Sequence, residues 1–176
     1  MTNKILAVLT DCGDTLVDEG TEEKAPDGDV TLRAELIPGA AELLYELKRR
    51  GYPLALVADG PEATFYNVLT QHGLIHLFDA LSISRQVGCS KPCPEIYRHA
   101  LDALGIAPHD YGRVVMVGNY LERDVKGANA LGLISVWIDW APRRPKQWVD
   151  TSEQPCFTIK RPLDLLQVLD RLEERA

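Results

Sequence analysis

Ile5-Leu6-Ala7-Val8-Leu9-Thr10-Asp11-Cys12-Gly13-Asp14-Thr15 is the stretch that decides the fold. Its apolar residues 5–9 predict a buried β-strand. Where such a strand ends in an open α/β sheet, the next side chains enter the crevice that binds ligands. Asp11 is therefore predicted at that rim, before a turn in which Gly13 allows a sharp bend and Asp14 can bond to the backbone. A carboxylate presented in this way suits a nucleophile or a metal ligand, and it equally suits the stabilisation of a turn.

The size and charge of the chain narrow the function classes. Its 176 residues predict one domain, residues 1–176, and 45% hydrophobic with 26% charged residues is typical of a globular protein. The formal net charge of −7 gives no electrostatic reason to expect nucleic acid or an anionic membrane as partner. Residues 1–10 lack the pattern of a secretory signal, and no apolar run is long enough to span a bilayer. We therefore expect a cytoplasmic location.

Strands and helices are predicted to alternate along the chain. Short apolar runs predict strands, and stripes of apolar residues at helical spacing predict the helices between them. This alternation indicates an α/β fold, a three-layer Rossmann-like arrangement with a central, mostly parallel sheet. The carboxyl ends of parallel strands share one rim, so the loops after the first, second, fourth and fifth long strands should meet there. The predicted strands cover residues 5–9, 52–57, 80–83, 114–117, 133–138 and 157–159, and one of the predicted helices covers about residues 121–131.

Residues 18–36 form a polar stretch that predicts a long exposed loop. A loop of this length in a compact domain is usually functional or mobile. A solvated connector explains the stretch equally well.

Four polar side chains are predicted to converge at the rim. Asp11 follows the first strand, Asn119 and Asp124 follow the fourth, and Lys91 precedes the helix that leads into the fourth. Carboxylate and amide oxygens suit Mg²⁺, which takes further ligands from substrate phosphate, and a lysine can balance the carboxylates. The helix that begins near Pro61 offers free backbone N–H groups to an anion. Together these features are typical of phosphoryl transfer to an aspartate.

With these residues in place, the chain resembles the haloacid dehalogenase superfamily from Ile5 to about Trp140. That family carries an Asp-x-Asp-x-Thr motif, a Ser or Thr that ends the next core strand, a Lys before a helix, and a Gly-Asp followed by a further Asp. The matching stretches here are residues 11–15, 56–60, 91–97 and 118–128, with Ala58 at the Ser/Thr position.

The resemblance implies a role for each matching residue. Asp11 would attack phosphorus and form an aspartyl-phosphate, and Lys91 would stabilise both Asp11 and the transferring group. Thr15 would support the loop. The implied substrate contacts are Ala58, Asp59, Gly60 and Lys91. The implied ligands of Mg²⁺ are Asp11, the backbone carbonyl of Gly13, and Asn119 or Asp124.

Three positions depart from the family pattern. Gly13 stands where phosphatases of this family carry the Asp that protonates the leaving group, a step typically worth 10²–10⁴-fold in rate. Ala58 lacks a hydroxyl donor to phosphate, and Asn119 removes one negative charge from the cation site. These changes predict slow chemistry, an activated substrate, or binding without turnover.

The cap that relatives insert between the first two motifs is reduced here to a remnant loop at about residues 18–36. The substrate could then be a small phosphorylated molecule or a macromolecule, and a second copy of the chain could supply a lid. Our leading hypothesis is a Mg²⁺-dependent phosphatase. The alternative is a weakened or inactive relative that binds a phosphorylated ligand or protein, while the short cap counts against carbon–halogen hydrolysis.

Arg143, Arg144 and Lys146 form a basic group after the fifth long strand. They could contact a substrate anion from the rim. A solvated surface explains them as well.

Overall fold

The computed structural model describes residues 4–174, in which strands and helices alternate. The strands are β1 (Ala7–Thr10), β2 (Glu23–Lys24), β3 (Thr31–Arg33), β4 (Leu54–Ala58), β5 (Ala80–Ile83), β6 (Val114–Gly118), β7 (Ile134–Ile138) and β8 (Phe157–Ile159). The helices are α1 (Ala40–Arg49), α2 (Glu62–Gln71), α3 (Ser84–Val87), α4 (Pro94–Ala103), α5 (Lys126–Leu131) and α6 (Asp164–Glu174). The six strands expected from the sequence are all present, and their ends differ from the prediction by at most two residues.

Six strands form one parallel sheet in the order β5-β4-β1-β6-β7-β8. From β1 the chain first adds strands on one side, β4 and β5, and then crosses to add β6, β7 and β8 on the other. The strand order therefore reverses at β1, and ligands of open α/β sheets bind in the crevice at such a point. The turn after β1 lies at this crevice, as the sequence predicted.

Alternate residues of each strand face opposite sides of the sheet. Val8 of β1 packs in the cluster that contains the apolar faces of α1, α2 and α6, whereas Ala7 and Leu9 pack against α4 and α5. A strand buried on both faces is a continuous apolar run, as expected for a parallel sheet covered by helices. The three-layer α/β Rossmann-like fold predicted from the sequence is confirmed.

Residues 18–36 do not form the plain exposed loop that the sequence predicted. A 3₁₀ turn at Glu19–Thr21 is followed by the antiparallel hairpin of β2 and β3. The hairpin is held on α2, because Thr64 Oγ1 accepts a hydrogen bond from the backbone N of Thr31 and Asn67 donates one to the Thr31 carbonyl, at 2.9 and 3.1 Å. Buried backbone groups need partners, and the polar side chains of α2 supply them to a segment rich in charge.

The helix predicted over residues 121–131 is divided in two. Leu121–Val125 forms a π-helical turn, and α5 follows it directly. Such turns are frequent at functional sites. Of the predicted domain, residues 1–3 and 175–176 lie outside the described part, as does the start of the segment that we tested for a secretory signal. Within residues 4–174, every helix is too short or too polar to cross a membrane.

Candidate active site

Lys91 lies at the centre of a buried cluster of charges. Its Nζ is 2.8 Å from Oδ1 of Asp11 and 2.7 Å from Oδ1 of Asp124, and it also donates to the Val57 carbonyl at 2.9 Å. The Lys91 side chain is 3% exposed. A lysine ammonium has three donors, and all three are satisfied here. The structure thus brings together three of the residues that the sequence assigned to this rim.

The charges of this cluster depend on one another. Burial alone would lower the pKa of Lys91, but the carboxylates of Asp11, Asp124 and Asp59 raise it, so the lysine keeps its proton. Burial raises the pKa of Asp124, and the charge of Asp11 raises it further, while Lys91 opposes both effects. Two buried carboxylates need a positive charge nearby, and Lys91 supplies it.

Asp124 is positioned by the π-helical turn around it. The backbone N of Tyr120 donates to Oδ2 of Asp124 at 2.9 Å, and Tyr97 donates its hydroxyl to the Arg123 carbonyl at 2.7 Å. A Cβ on Gly118 would lie 2.2 Å from Cγ of Asp124, so the last residue of β6 must be glycine for the carboxylate to fit. The Tyr120 N–H, the Tyr97 hydroxyl and the absence of a side chain at Gly118 therefore together determine where the Asp124 carboxylate lies.

Among the described residues that line the pocket, Asn119 alone has a side-chain amide, and this amide is buried. It is 1% exposed, and among the described residues neither its Oδ1 nor its Nδ2 has a hydrogen-bond partner. A buried polar group without a partner needs an explanation, and a bound ion or ligand is one. The Asn119 oxygen with the carboxylates of Asp11 and Asp124 forms a set of hard oxygen donors that fits Mg²⁺.

Residues 58–60 occupy different places. Ala58 is fully buried in the core and does not line the pocket. Asp59 lines the pocket, and its Oδ1 accepts a hydrogen bond from the backbone N of Lys91 at 3.0 Å. The backbone N of Gly60 donates to Ser84 Oγ at 2.9 Å. Of the three, Asp59 is the one that lines the pocket, and substrate contacts by Ala58, Asp59 and Gly60 all stay predictions.

A pocket of about 190 Å³ opens at the carboxyl end of the sheet. Residues of the β2–β3 hairpin and of α2 line this pocket together with Asp11 and Lys91. The lining residues are Asp11, Cys12, Gly13, Val17, Glu19, Glu22, Lys24, Asp29, Thr31, Asp59, Pro61, Thr64, Phe65, Val68, Lys91, Asn119, Tyr120 and Arg123.

Asp14 is turned away from the pocket. Its side chain is 0% exposed, with Arg143 at 3.0 Å and Arg144 at 2.8 Å from its two carboxylate oxygens. Its φ of 52° is left-handed, a conformation that Asp tolerates better than most residues. The chain therefore carries Asp where the turn would favour Gly, and two arginines hold its carboxylate.

The basic group after β7 is paired with oxygen atoms of the same chain, although Arg143 and Lys146 are also exposed to solvent. Arg143 and Arg144 point inward, onto Asp14 and the segment that follows it, and neither lines the pocket. Lys146 is paired with Asp139 and donates to the Ala141 carbonyl. These cations bind the loops of the protein to one another.

Glu19 is a site residue that the sequence analysis missed. It lines the pocket, its carboxylate bonds to Arg144, and its side chain is 36% exposed. Burial raises the pKa of Glu19, which Arg144 partly opposes. The acidic stretch at residues 18–23 was the available signal, but sequence spacing does not show which of its carboxylates faces Asp11.

Known proteins resemble this chain in sequence. A protein-family model described as haloacid dehalogenase-like hydrolase matches residues 4–132. The chain is 40% identical over 107 residues to a phosphoserine phosphatase of Thermus thermophilus, over 61% of this chain and 42% of that protein. It is 31% identical over 135 residues to a glyceraldehyde 3-phosphate phosphatase of Methanopyrus kandleri, over 77% of this chain and 57% of that protein. The chain thus spans about half the length of these curated relatives.

Solved structures of similar length also match. An uncharacterized protein from Listeria monocytogenes serotype 4b superimposes with a TM-score of 0.78 at 27% identity, over 96% of this chain and 99% of that one. A HAD phosphatase from Thermococcus onnurineus superimposes with a TM-score of 0.76, over 93% of this chain and 97% of that one. The second protein is 21% identical, so this likeness concerns the fold alone.

Proposed function

Since the chain belongs to the haloacid dehalogenase-like hydrolase family, we propose that it is a Mg²⁺-dependent phosphatase that uses Asp11 as its nucleophile. The observation that supports this most directly is the contact of Lys91 with both Asp11 and Asp124 beneath one pocket. Asp11 is 8% exposed and lines the pocket, so a carboxylate oxygen can meet a substrate while the rest of the side chain is held. Its relatives include phosphatases of phosphoserine and glyceraldehyde 3-phosphate.

Asp11 attacks phosphorus as the bond from phosphorus to the ester oxygen breaks, so that an aspartyl-phosphate forms and the alcohol leaves. Water then attacks the aspartyl-phosphate, which releases phosphate and restores the Asp11 carboxylate. Lys91 holds Asp11 at 2.8 Å and offers its positive charge to the transferring group. Thr15 Oγ1 lies 3.4 Å from Oδ2 of Asp11, a long contact that restrains the second oxygen only weakly. The α2 N-terminus, at Pro61, lines the same pocket and presents backbone N–H groups to phosphate oxygens.

The residues that would hold Mg²⁺ are Asp11, Asp124 and Asn119, with the backbone carbonyl of Gly13. Asn119 supports this assignment because its amide is buried without a partner among the described residues. When bound, the ion supplies positive charge against which phosphate oxygens and a carboxylate nucleophile can approach each other. The amide of Asn119 carries no charge, so we expect weaker Mg²⁺ binding than a site with a third carboxylate beside Asp11 and Asp124 would give.

The size of the pocket favours a small substrate. A volume of about 190 Å³ accommodates a phosphate group with a short carbon chain. The hairpin of the same chain already forms one wall, so the proposal needs no lid from a second copy. We therefore propose a small phosphate monoester as substrate.

The test is phosphate release from a panel of small phosphate monoesters, with and without Mg²⁺, by the parent protein and Asp11→Asn. The proposal expects Mg²⁺-dependent release that Asp11→Asn lowers by at least about 10³-fold, because a carboxamide is not a nucleophile toward phosphorus. Equal release by the two proteins would refute it.

A second function follows from three departures from the family motifs: Gly13 lacks a carboxyl, Ala58 lacks a hydroxyl, and Asn119 lacks a negative charge. In this case the chain binds a phosphorylated ligand or a phosphorylated protein without hydrolysing it. This alternative expects no release from any ester, together with a rise in melting temperature when phosphate and Mg²⁺ are added. Asp11-dependent turnover would exclude it.

A further inference from the structure

The space beside Gly13 is filled by the carboxyl group of Glu19. A Cβ on Gly13 would lie 2.0 Å from Glu19 Oε1 and 2.8 Å from Glu19 Cδ, far inside van der Waals contact. Both residues line the pocket that contains Asp11. The carboxyl of Glu19 thus takes the position that a side chain at residue 13 would occupy.

The contact with Glu19, and not the backbone conformation, explains why residue 13 is a glycine. Gly13 is not among the residues with a left-handed φ, so an L-residue could adopt its conformation. What a side chain at residue 13 would meet is the Glu19 carboxyl group. Gly13, which has no side chain, and Glu19, whose carboxyl group occupies the resulting space, therefore depend on each other.

Glu19 is held in this place by two contacts. Its backbone N donates to Asp14 Oδ1 at 3.1 Å, and its carboxylate bonds to Arg144. Arg144 is itself fixed, because it lies 2.8 Å from Asp14 Oδ2 and its guanidinium stacks 4.5 Å from the centre of the Tyr120 ring. A carboxyl fixed by packing and ion pairs is preorganised in the way that a catalytic group must be.

From this geometry we propose that Glu19 carries out the proton transfers that a carboxyl at residue 13 would perform. The proposal rests on the phosphatase function proposed above. As Asp11 forms its bond to phosphorus, the bond from phosphorus to the ester oxygen breaks, and that oxygen takes the proton of the Glu19 carboxyl. In the second step the Glu19 carboxylate takes a proton from the water that attacks the aspartyl-phosphate, which releases phosphate and restores both carboxyls.

The other carboxylates near residue 13 fit this role less well. Asp14 is fully buried, is paired with two arginines and does not line the pocket. Glu22 lines the pocket, but its Oε2 is 3.0 Å from Lys24 Nζ, and no glycine opens a space for it beside Asp11. Glu19 is the residue whose carboxyl group occupies the space beside Gly13.

The first experiment compares two kinds of leaving group. An alkyl phosphate needs a proton on its departing oxygen, whereas p-nitrophenyl phosphate departs readily without one. Glu19→Gln should lower kcat for alkyl phosphates by roughly 10²-fold or more and change kcat for p-nitrophenyl phosphate far less. Glu23→Gln is the matched control, since Glu23 is exposed on β2 outside the pocket and should leave both rates unchanged.

The second experiment moves the carboxyl. Gly13→Ala places a Cβ against Glu19 and should impair alkyl phosphates selectively, although Glu19 is retained. The double variant Gly13→Asp with Glu19→Ala restores a carboxyl to the same space. It should recover most of the alkyl phosphate rate that Glu19→Ala alone loses, which a merely structural role for Glu19 would not produce.

The outcomes separate this proposal from the function on which it rests. One outcome is Asp11-dependent turnover in which Glu19→Gln lowers kcat equally for alkyl phosphates and for p-nitrophenyl phosphate, or changes neither kcat. That result overturns the role of Glu19 and leaves the phosphatase function in place. Failure of the double variant to recover any activity, when its melting temperature matches that of Glu19→Ala, overturns it as well. Absence of turnover by the parent protein with every ester overturns both.

Discussion

Lys91 and Asp124 form a buried ion pair, with Nζ 2.7 Å from Oδ1 and the two side chains 3% and 1% exposed. The pair joins the loop before α4 to the π-helical turn after β6, and Asp11, directly after β1, is the second carboxylate that Lys91 contacts. Three segments distant in sequence thus depend on one lysine. Since a buried charge without its partner is expensive, this pair affects both the stability of the fold and the chemistry of the site.

Removing the ammonium group tests that dependence. Lys91→Met leaves Asp11 and Asp124 as buried neighbouring carboxylates, so it should lower the free energy of unfolding by about 3–5 kcal/mol in the absence of divalent ions. Added Mg²⁺ should raise the melting temperature of the variant more than that of the parent, because it replaces the lost positive charge. Lys126→Met is the control, since Lys126 is half exposed and its Nζ is 3.7 Å from Glu153. An equal response to Mg²⁺ in parent and variant would contradict the cation site.

The last residue of β6 should tolerate no side chain. In Gly118→Ala the new methyl would stand 2.2 Å from Asp124 Cγ and must push the carboxylate aside. We expect kcat to fall by roughly 10²-fold, because a displacement of about 1 Å in a catalytic group has effects of this size. Gly112→Ala meets its nearest atom at 3.9 Å and serves as the control. Normal phosphatase kinetics in Gly118→Ala would show that Asp124 need not occupy this position.

Asp14 combines a strained backbone with a buried carboxylate, and two substitutions separate these contributions. Asp14→Gly and Asp14→Ala both remove the partner of Arg143 and Arg144, so both should destabilise the protein. Only alanine keeps the steric strain of φ 52°, so Asp14→Ala should be less stable than Asp14→Gly by about 1 kcal/mol. Urea denaturation measures the difference. The reverse order would show that this φ carries no such strain.

The hydroxyl of Tyr97 should matter through the turn that it supports. Tyr97→Phe removes the hydrogen bond to the Arg123 carbonyl and leaves that carbonyl without its partner, at a cost of about 1–3 kcal/mol. Because Arg123 adjoins Asp124, kcat should fall while KM changes little. Tyr66→Phe, on the exposed face of α2, is the control for the substitution itself. A fall in stability with unchanged kcat would limit Tyr97 to a structural role.

The sequence predicted the strands, the order of the layers and the convergence of Asp11, Lys91 and Asp124. These features follow from local patterns, since apolar runs make strands and parallel strands share a rim. The hairpin within residues 18–36 was missed because its strands have two and three residues and are mostly polar. Their stability comes from Thr64 and Asn67 of α2, contacts that no periodicity indicates.

The inward orientation of Arg143 and Arg144 was missed for a related reason. A basic loop is usually solvated, and its partner Asp14 was expected to stabilise a turn through the backbone. The position of Glu19 beside Gly13 is a matter of a few ångströms in space, which depends on Arg144 more than 120 residues later in the chain. Sequence spacing contains no information at that scale.

Reductive trapping of the phosphoenzyme tests the central claim most directly. Borohydride converts an aspartyl-phosphate to homoserine, so enzyme quenched during turnover of a phosphate monoester should carry homoserine at position 11 in peptide mass spectra. The modification should be absent without substrate and absent in Asp11→Asn. Turnover with an unmodified Asp11, or with the modification at another carboxylate, would contradict the account.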